Sequence, residues 1–143
     1  MSVAPIGRGH QVIEHTADTG IEAWGTTLDE AFEEAALALF ELMIEPAAVE
    51  EREAHRVSVT GGDDGDLLVR WLNELLYLVD ARGLVFHRFV VERLVPGAFI
   101  ATAYGEPLDP ARHLPRTAVK AATYHQLVVE AGPPAHVRVI VDL

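Results

Sequence analysis

Three polar residues stand in strand-like surroundings, where a side chain must face something: Asp18 after the first β-prone segment, Lys120 inside a run rich in Val and Thr, and Asp142. The chain closes on Val139-Ile140-Val141-Asp142-Leu143, so the Asp142 side chain and a terminal carboxylate on Leu143 are expected within one residue of each other. If Asp18 lies close, three anionic groups meet. Such a cluster repels itself unless a hard cation or a lysine neutralises it, which suits Ca2+, Mg2+ or Mn2+ on oxygen ligands. Each residue also has a plainer reading. Asp18 fits an Asx turn, Lys120 fits a solvent-facing edge position, and Asp142 fits a fraying end.

Other chemistries find less support. With no cysteine, disulfide scaffolds, thiolate zinc sites and thiol nucleophiles are excluded. The 7 histidines are scattered singly, with no pair at zinc spacing and no His-Glu-x-x-His. Gly61-Gly62-Asp63-Asp64-Gly65-Asp66 superficially suggests a calcium loop, but it lacks the spaced ligands and bidentate Glu of an EF-hand and reads better as helix capping. Phosphate loops, nucleophile elbows and dinucleotide fingerprints are absent. The 22 acidic residues against 11 basic ones give a net charge of −11, which would repel a phosphate backbone, so direct nucleic-acid binding is not expected. The N-terminal stretch has no signal-peptide h-region and no apolar run is long enough to cross a bilayer, which predicts a cytoplasmic protein without a membrane anchor.

The elements that must position these residues follow from periodicity. A length of 143 residues, half of them hydrophobic, suits one domain with one filled core. Residues 1–10, with Pro5, Gly7 and Gly9, read as a poorly ordered leader, and 11–143 as the domain. Short strands are expected over Val12–Thr16 and Ile21–Trp24. Thr27-Leu28-Asp29-Glu30 forms a capping box that opens a helix with one buried stripe through Phe32, Ala35, Leu39 and Leu42, stopped at Pro46. Glu51–Thr60 alternates as a half-exposed strand. A second helix follows the acidic glycine-rich turn and ends at Gly83, and its broad apolar face marks it as the central helix. Val85–Val95 and Phe99–Tyr104 form a hairpin around Pro96-Gly97, 105–115 carries too many prolines for a regular element, 117–130 reads as a bent strand, and the terminus is a strand. The sum is an α+β single domain, a largely antiparallel β-sheet with two helices packed on one face.

Six ordered motifs carry a resemblance: His15-Thr16-Ala17-Asp18; Trp24-Gly25 with Leu28, Ala31 and Phe32; Trp71-Leu72-Asn73-Glu74-Leu75-Leu76-Tyr77; Gly105-Glu106-Pro107; Val119-Lys120-Ala121 with Thr123-Tyr124-His125; and Val139-Ile140-Val141-Asp142-Leu143. The chain resembles the archease family from about Val12 to the terminus. The leader before Gln11 and the stretch from Pro46 to Ala54 carry no family signature. The resemblance implies a non-catalytic protein cofactor of the RtcB-type RNA-splicing ligase, which joins tRNA exon halves, promoting the ligase's guanylylation and multiple turnover. It also implies a metal site at Asp18, Asp142 and Leu143, with Ca2+ the first expectation and Mg2+ or Mn2+ the alternatives, and a functional role for Lys120 in contacting nucleotide or partner. Two rival classes are a metal-dependent phosphoesterase, for which no nucleophile or base motif exists, and a general chaperone or modulator of nucleic-acid-processing proteins.

Overall fold

The computed structural model describes residues 7–14 and 18–143. Leader residues 1–6 and the segment 15–17, which holds the expected end of the first strand at Thr16, lie outside the described residues. The order is β1 (Gly9–Glu14), β2 (Thr19–Gly25), α1 (Leu28–Met43), a 3-10 turn (Pro46–Ala48), β3 (Glu53–Thr60), α2 (Asp64–Arg82), β4 (Leu84–Val95), β5 (Ala98–Pro107), α3 (Pro110–His113), β6 (Ala121–Ala122), β7 (Val128–Glu130) and β8 (Ala135–Asp142). β1 therefore begins inside the segment expected to be leader.

The α+β class with antiparallel pairing holds, and the strands divide into two sheets. One runs β1-β2-β8, with β6 and β7 both pairing the far side of β8; the other runs β3-β5-β4. Period-two alternation gives each sheet one buried face. In β8, Ala135, Val137, Val139 and Val141 point inward, and in β5 Phe99, Ala101 and Ala103 do. The helices fill the space between. α1 touches β1, β2 and β8 on one side and β4 on the other, while α2 rests on β3, β4 and β5 and reaches β6 and β7.

That arrangement overturns the expectation that α2 is the central helix. Ten of the 16 residues of α1 are buried, against eight of 19 in α2. Ala31, Ala35, Ala36 and Ala38 let α1 lie close to both sheets, so small side chains conceal a second apolar face that a single stripe does not suggest. Around it, Trp71 and Phe99 pack with ring centroids 4.8 Å apart, Phe32 and Phe99 at 5.4 Å, and Phe40 and Phe89 at 5.7 Å.

The helix ends behave as the capping chemistry predicts. The Thr27 hydroxyl accepts from the Glu30 N–H at 3.3 Å, although Glu30 returns to the N–H of Thr26 rather than Thr27, at 2.7 Å. Asp63 accepts from the Asp66 N–H at 2.8 Å, so the acidic turn does cap α2. Gly83 ends the helix at φ 63°, and its N–H bonds to the carbonyls of Leu78 and Val79. Gly105 is required by proximity: a Cβ there would sit 1.8 Å from the Val85 carbonyl oxygen.

Two expectations about the last third need correction. Residues 105–115 do contain regular structure, since β5 continues to Pro107 and Asp109 caps the short α3, accepting from the Ala111 N–H at 3.1 Å. Residues 117–130 are not one strand. The N–H groups of Arg116 and Thr117 go to the orphan carbonyls of Met43 and Leu42 at the end of α1, 2.8 and 3.1 Å away, and are lost to any sheet ladder. Further on, Gln126 takes a left-handed φ of 50° and separates β6 from β7.

Candidate functional site

The register of the first sheet gathers the candidate residues at one end. β2 and β8 pair from Gly25 with Ala135 to Thr19 with Val141, which places Asp18 against Asp142 one step beyond the last β2–β8 pair. β6 pairs Ala121 with Asp142, so Lys120 arrives at the same end from the other flank. The Lys120 N–H donates to the Asp142 carbonyl at 2.8 Å. Asp18, Lys120, Asp142 and Leu143 are all exposed. The placement of Lys120 differs from expectation in one respect, because it precedes β6 rather than lying inside a strand.

Neither the Asp18 nor the Asp142 carboxylate takes a hydrogen bond or ion pair from a described residue, in a protein where most carboxylates are engaged by Arg, His or backbone N–H groups. Two carboxylates with main-chain oxygen of Leu143 beside them form an all-oxygen donor set, which fits a hard cation. The fit is limited to donor chemistry: among the described residues no three His, Asp or Glu side chains come together as a metal-holding group.

The far flank of β6 reveals a contributor not singled out among the sequence candidates. Asn73, in the middle of α2, accepts from the Ala122 N–H at 2.8 Å and donates from Nδ2 to the Ala122 carbonyl at 3.2 Å. Its position in the Trp71–Tyr77 motif is the only sequence signal. The next turn is tied to the same helix, since the Tyr124 hydroxyl donates to Asp66 at 2.5 Å. That hydrogen bond, with others from the Gly62 N–H and Arg70, holds the Asp66 carboxyl down at about 2 although burial opposes it.

A buried polar cluster was also missed. Glu106 is 1% exposed and His113 is fully buried. Arg112 donates to Glu106 at 2.8 Å, the Glu50 N–H at 2.6 Å, and His113 Nε2 lies 3.0 Å away. The Arg112 guanidinium foremost, against the effect of burial and with help from Glu50 and His113, lowers the Glu106 pKa to about 2. His113 Nδ1 accepts the Asp109 N–H at 2.8 Å, so the ring carries its proton on Nε2 and donates it to Glu106. Every partner is satisfied internally, and the cluster fastens α3 and the 3-10 turn to the end of β5. The detectable signal was a Glu next to a glycine in a strand, with Arg and His six and seven residues on.

No helix among the described residues is long and apolar enough to cross a membrane. The Archease protein family model matches residues 10–143. Protein archease of Pyrococcus abyssi is 46% identical over 123 residues, covering 84% of this chain and 87% of its own. Among solved structures, the solution structure of Methanobacterium thermoautotrophicum protein 1598 superimposes with a TM-score of 0.75 at 35% identity, covering 94% of this chain and 99% of that one. The crystal structure of a Thermotoga maritima archease, described as a possible chaperone, has a TM-score of 0.63 at 24% identity over 93% and 96% of the two chains, a likeness of fold. The match spans both sheets, both long helices and the strand ends that carry Asp18, Lys120 and Asp142, and on it this chain belongs to the archease family.

Proposed function

We propose that this protein is a non-catalytic, cytoplasmic activator of an RtcB-type RNA-splicing ligase, promoting guanylylation of the ligase and its multiple turnover. The observation that carries the reading is the pair of solvent-facing carboxylates, Asp18 just before β2 and Asp142 at the end of β8, at one end of the sheet without a basic partner among the described residues. Asp18, Asp142 and main-chain oxygen of Leu143 would hold a divalent cation, Ca2+ first and Mg2+ or Mn2+ as alternatives. A bound cation would supply positive charge where phosphate charge must be stabilised. The residues themselves do simpler work. Asp18 and Asp142 present an acidic tip to the metal-rich nucleotide site of the ligase, and Lys120 offers an ammonium to nucleotide phosphate or to a ligase carboxylate. Electrostatic positioning of this kind accounts for most of the catalysis in phosphoryl transfer.

The test is RNA joining by the ligase under substrate excess, with this protein, with Asp18→Ala or with Asp142→Ala. The wild type is expected to convert single-turnover joining to multiple turnover and to accelerate guanylate attachment, and both variants to fail while remaining folded. A folded Asp18→Ala protein that activates normally removes the acidic tip from the account. A second reading, general chaperone or modulator of nucleic-acid-processing proteins, draws on the description of the Thermotoga maritima archease as a possible chaperone. That activity would suppress aggregation of unrelated clients and would survive loss of Asp18.

A further inference from the structure

β6 is only two residues long and has β8 on one side alone. Toward β8, the Lys120 N–H reaches the Asp142 carbonyl at 2.8 Å and the Thr123 N–H reaches the Ile140 carbonyl at 2.9 Å. On the opposite side, where a further strand would stand, the Asn73 carboxamide takes both backbone groups of Ala122, at 2.8 and 3.2 Å. A carboxamide offers the same donor and acceptor as a peptide unit, so Asn73 occupies the place of one residue of a missing strand. It is firmly based. Leu72, Leu75 and Leu76 on either side of it are buried, so α2 cannot turn to carry the carboxamide away.

The geometry points to Asn73 as the positioning residue of the Asp18–Asp142 end: its carboxamide clamps β6 to β8 and thereby sets Lys120 and Asp142 at one point. This rests on the reading of that end as the functional site. A two-residue strand has too few ladder bonds to hold its own register, and Ala122, 4% exposed, cannot turn to water for replacements. The side chain is also specific. Asp would set a second acceptor against the Ala122 carbonyl, and Leu would leave both Ala122 groups unpaired. On the β8 side the Lys120 N–H engages the Asp142 main-chain carbonyl, which leaves the exposed side-chain carboxylate as the outward-facing ligand of Asp142.

The experiment compares wild type with Asn73→Leu and Asn73→Asp, using Val69→Ala as a control that truncates a buried residue one turn earlier on the same helix while leaving the carboxamide in place. Three readouts are taken: exchange of the Lys120 amide by NMR, Ca2+ affinity by calorimetry, and activation of the ligase. Both Asn73 variants are expected to lose Lys120 protection and about tenfold in Ca2+ affinity, the usual effect of unseating a residue behind a metal ligand, with a parallel loss of activation. Val69→Ala should lower the melting temperature while keeping all three. Wild-type protection and affinity in the Asn73 variants, or equal losses in Val69→Ala, overturn the inference. If the wild type binds no Ca2+ and activates nothing, the functional reading falls, and the Lys120 amide alone decides whether Asn73 holds this end of the sheet.

Discussion

Glu106 shows how much one carboxylate can decide. Arg112, His113 Nε2–H and the Glu50 N–H donate to it and Arg52 Nε stands 3.4 Å away, so Glu106→Gln would turn an amide NH2 toward donors at a position only 1% exposed. The expected cost is about 3 kcal/mol by urea denaturation at neutral pH, the scale at which a buried pair is broken from one side. The sign of the pH effect follows from direction. Glu106 sits at about 2, below its ordinary 4.5, so its contribution is full above 4.5 and is lost as pH falls toward about 2. The urea midpoint of the wild type should drop through that window, and that of Glu106→Gln should drop less steeply.

At the scale of elements, β1 is held to α1 by ions as well as by its ladder to β2. Arg8 bonds to Glu34 at 2.6 Å and Glu33 at 2.8 Å, and the two nitrogens of His10 lie 2.7 Å from Glu34 and 2.9 Å from Glu41. A ring between two carboxylates donates to both only as the imidazolium. Burial lowers the His10 pKa, and the hydrogen bonds to Glu34 and Glu41 outweigh it, leaving a net rise above 6.5. Stability from this latch is present below 6.5 and lost as pH rises through the elevated value. His10→Gln should therefore be less stable than wild type below 6.5, with the gap closing as pH rises through the elevated value, read from urea midpoints. The end of α2 gives a cleaner case. Gly83 has φ 63° and open space around it, so Gly83→Ala costs backbone strain alone, about 1 kcal/mol in the same assay.

For the whole molecule the governing quantity is charge. A net charge of −11 favours approach to a basic partner surface, and salt weakens such an attraction beyond a Debye length. On the proposed function, the concentration giving half-maximal ligase activation should rise roughly tenfold between about 0.05 M and about 0.5 M salt. A half-maximal concentration unchanged by salt would remove electrostatic steering from the account. The fold itself should be far less affected, because its core is apolar and its central helix is enclosed by two sheets.

Local signals were legible in the sequence. Thr27, Asp63 and Gly83 marked helix ends, Pro96-Gly97 marked a hairpin, alternation marked β8, and spacing of apolar residues marked both long helices. Each depends on interactions within a few residues of chain. Asp18, Lys120 and Asp142 could be named individually for the same reason. Tertiary structure decided which elements meet. Only β2–β8 register sets Asp18 opposite Asp142, only the contact across 49 residues between Asn73 and Ala122 supplies β6 with its second side, and only the orphan carbonyls of α1 explain why 116 and 117 leave the sheet. The division into two sheets and the enclosure of α1 belong there too, because an alanine-rich face looks weakly apolar by composition and becomes a packing surface only when two sheets close over it.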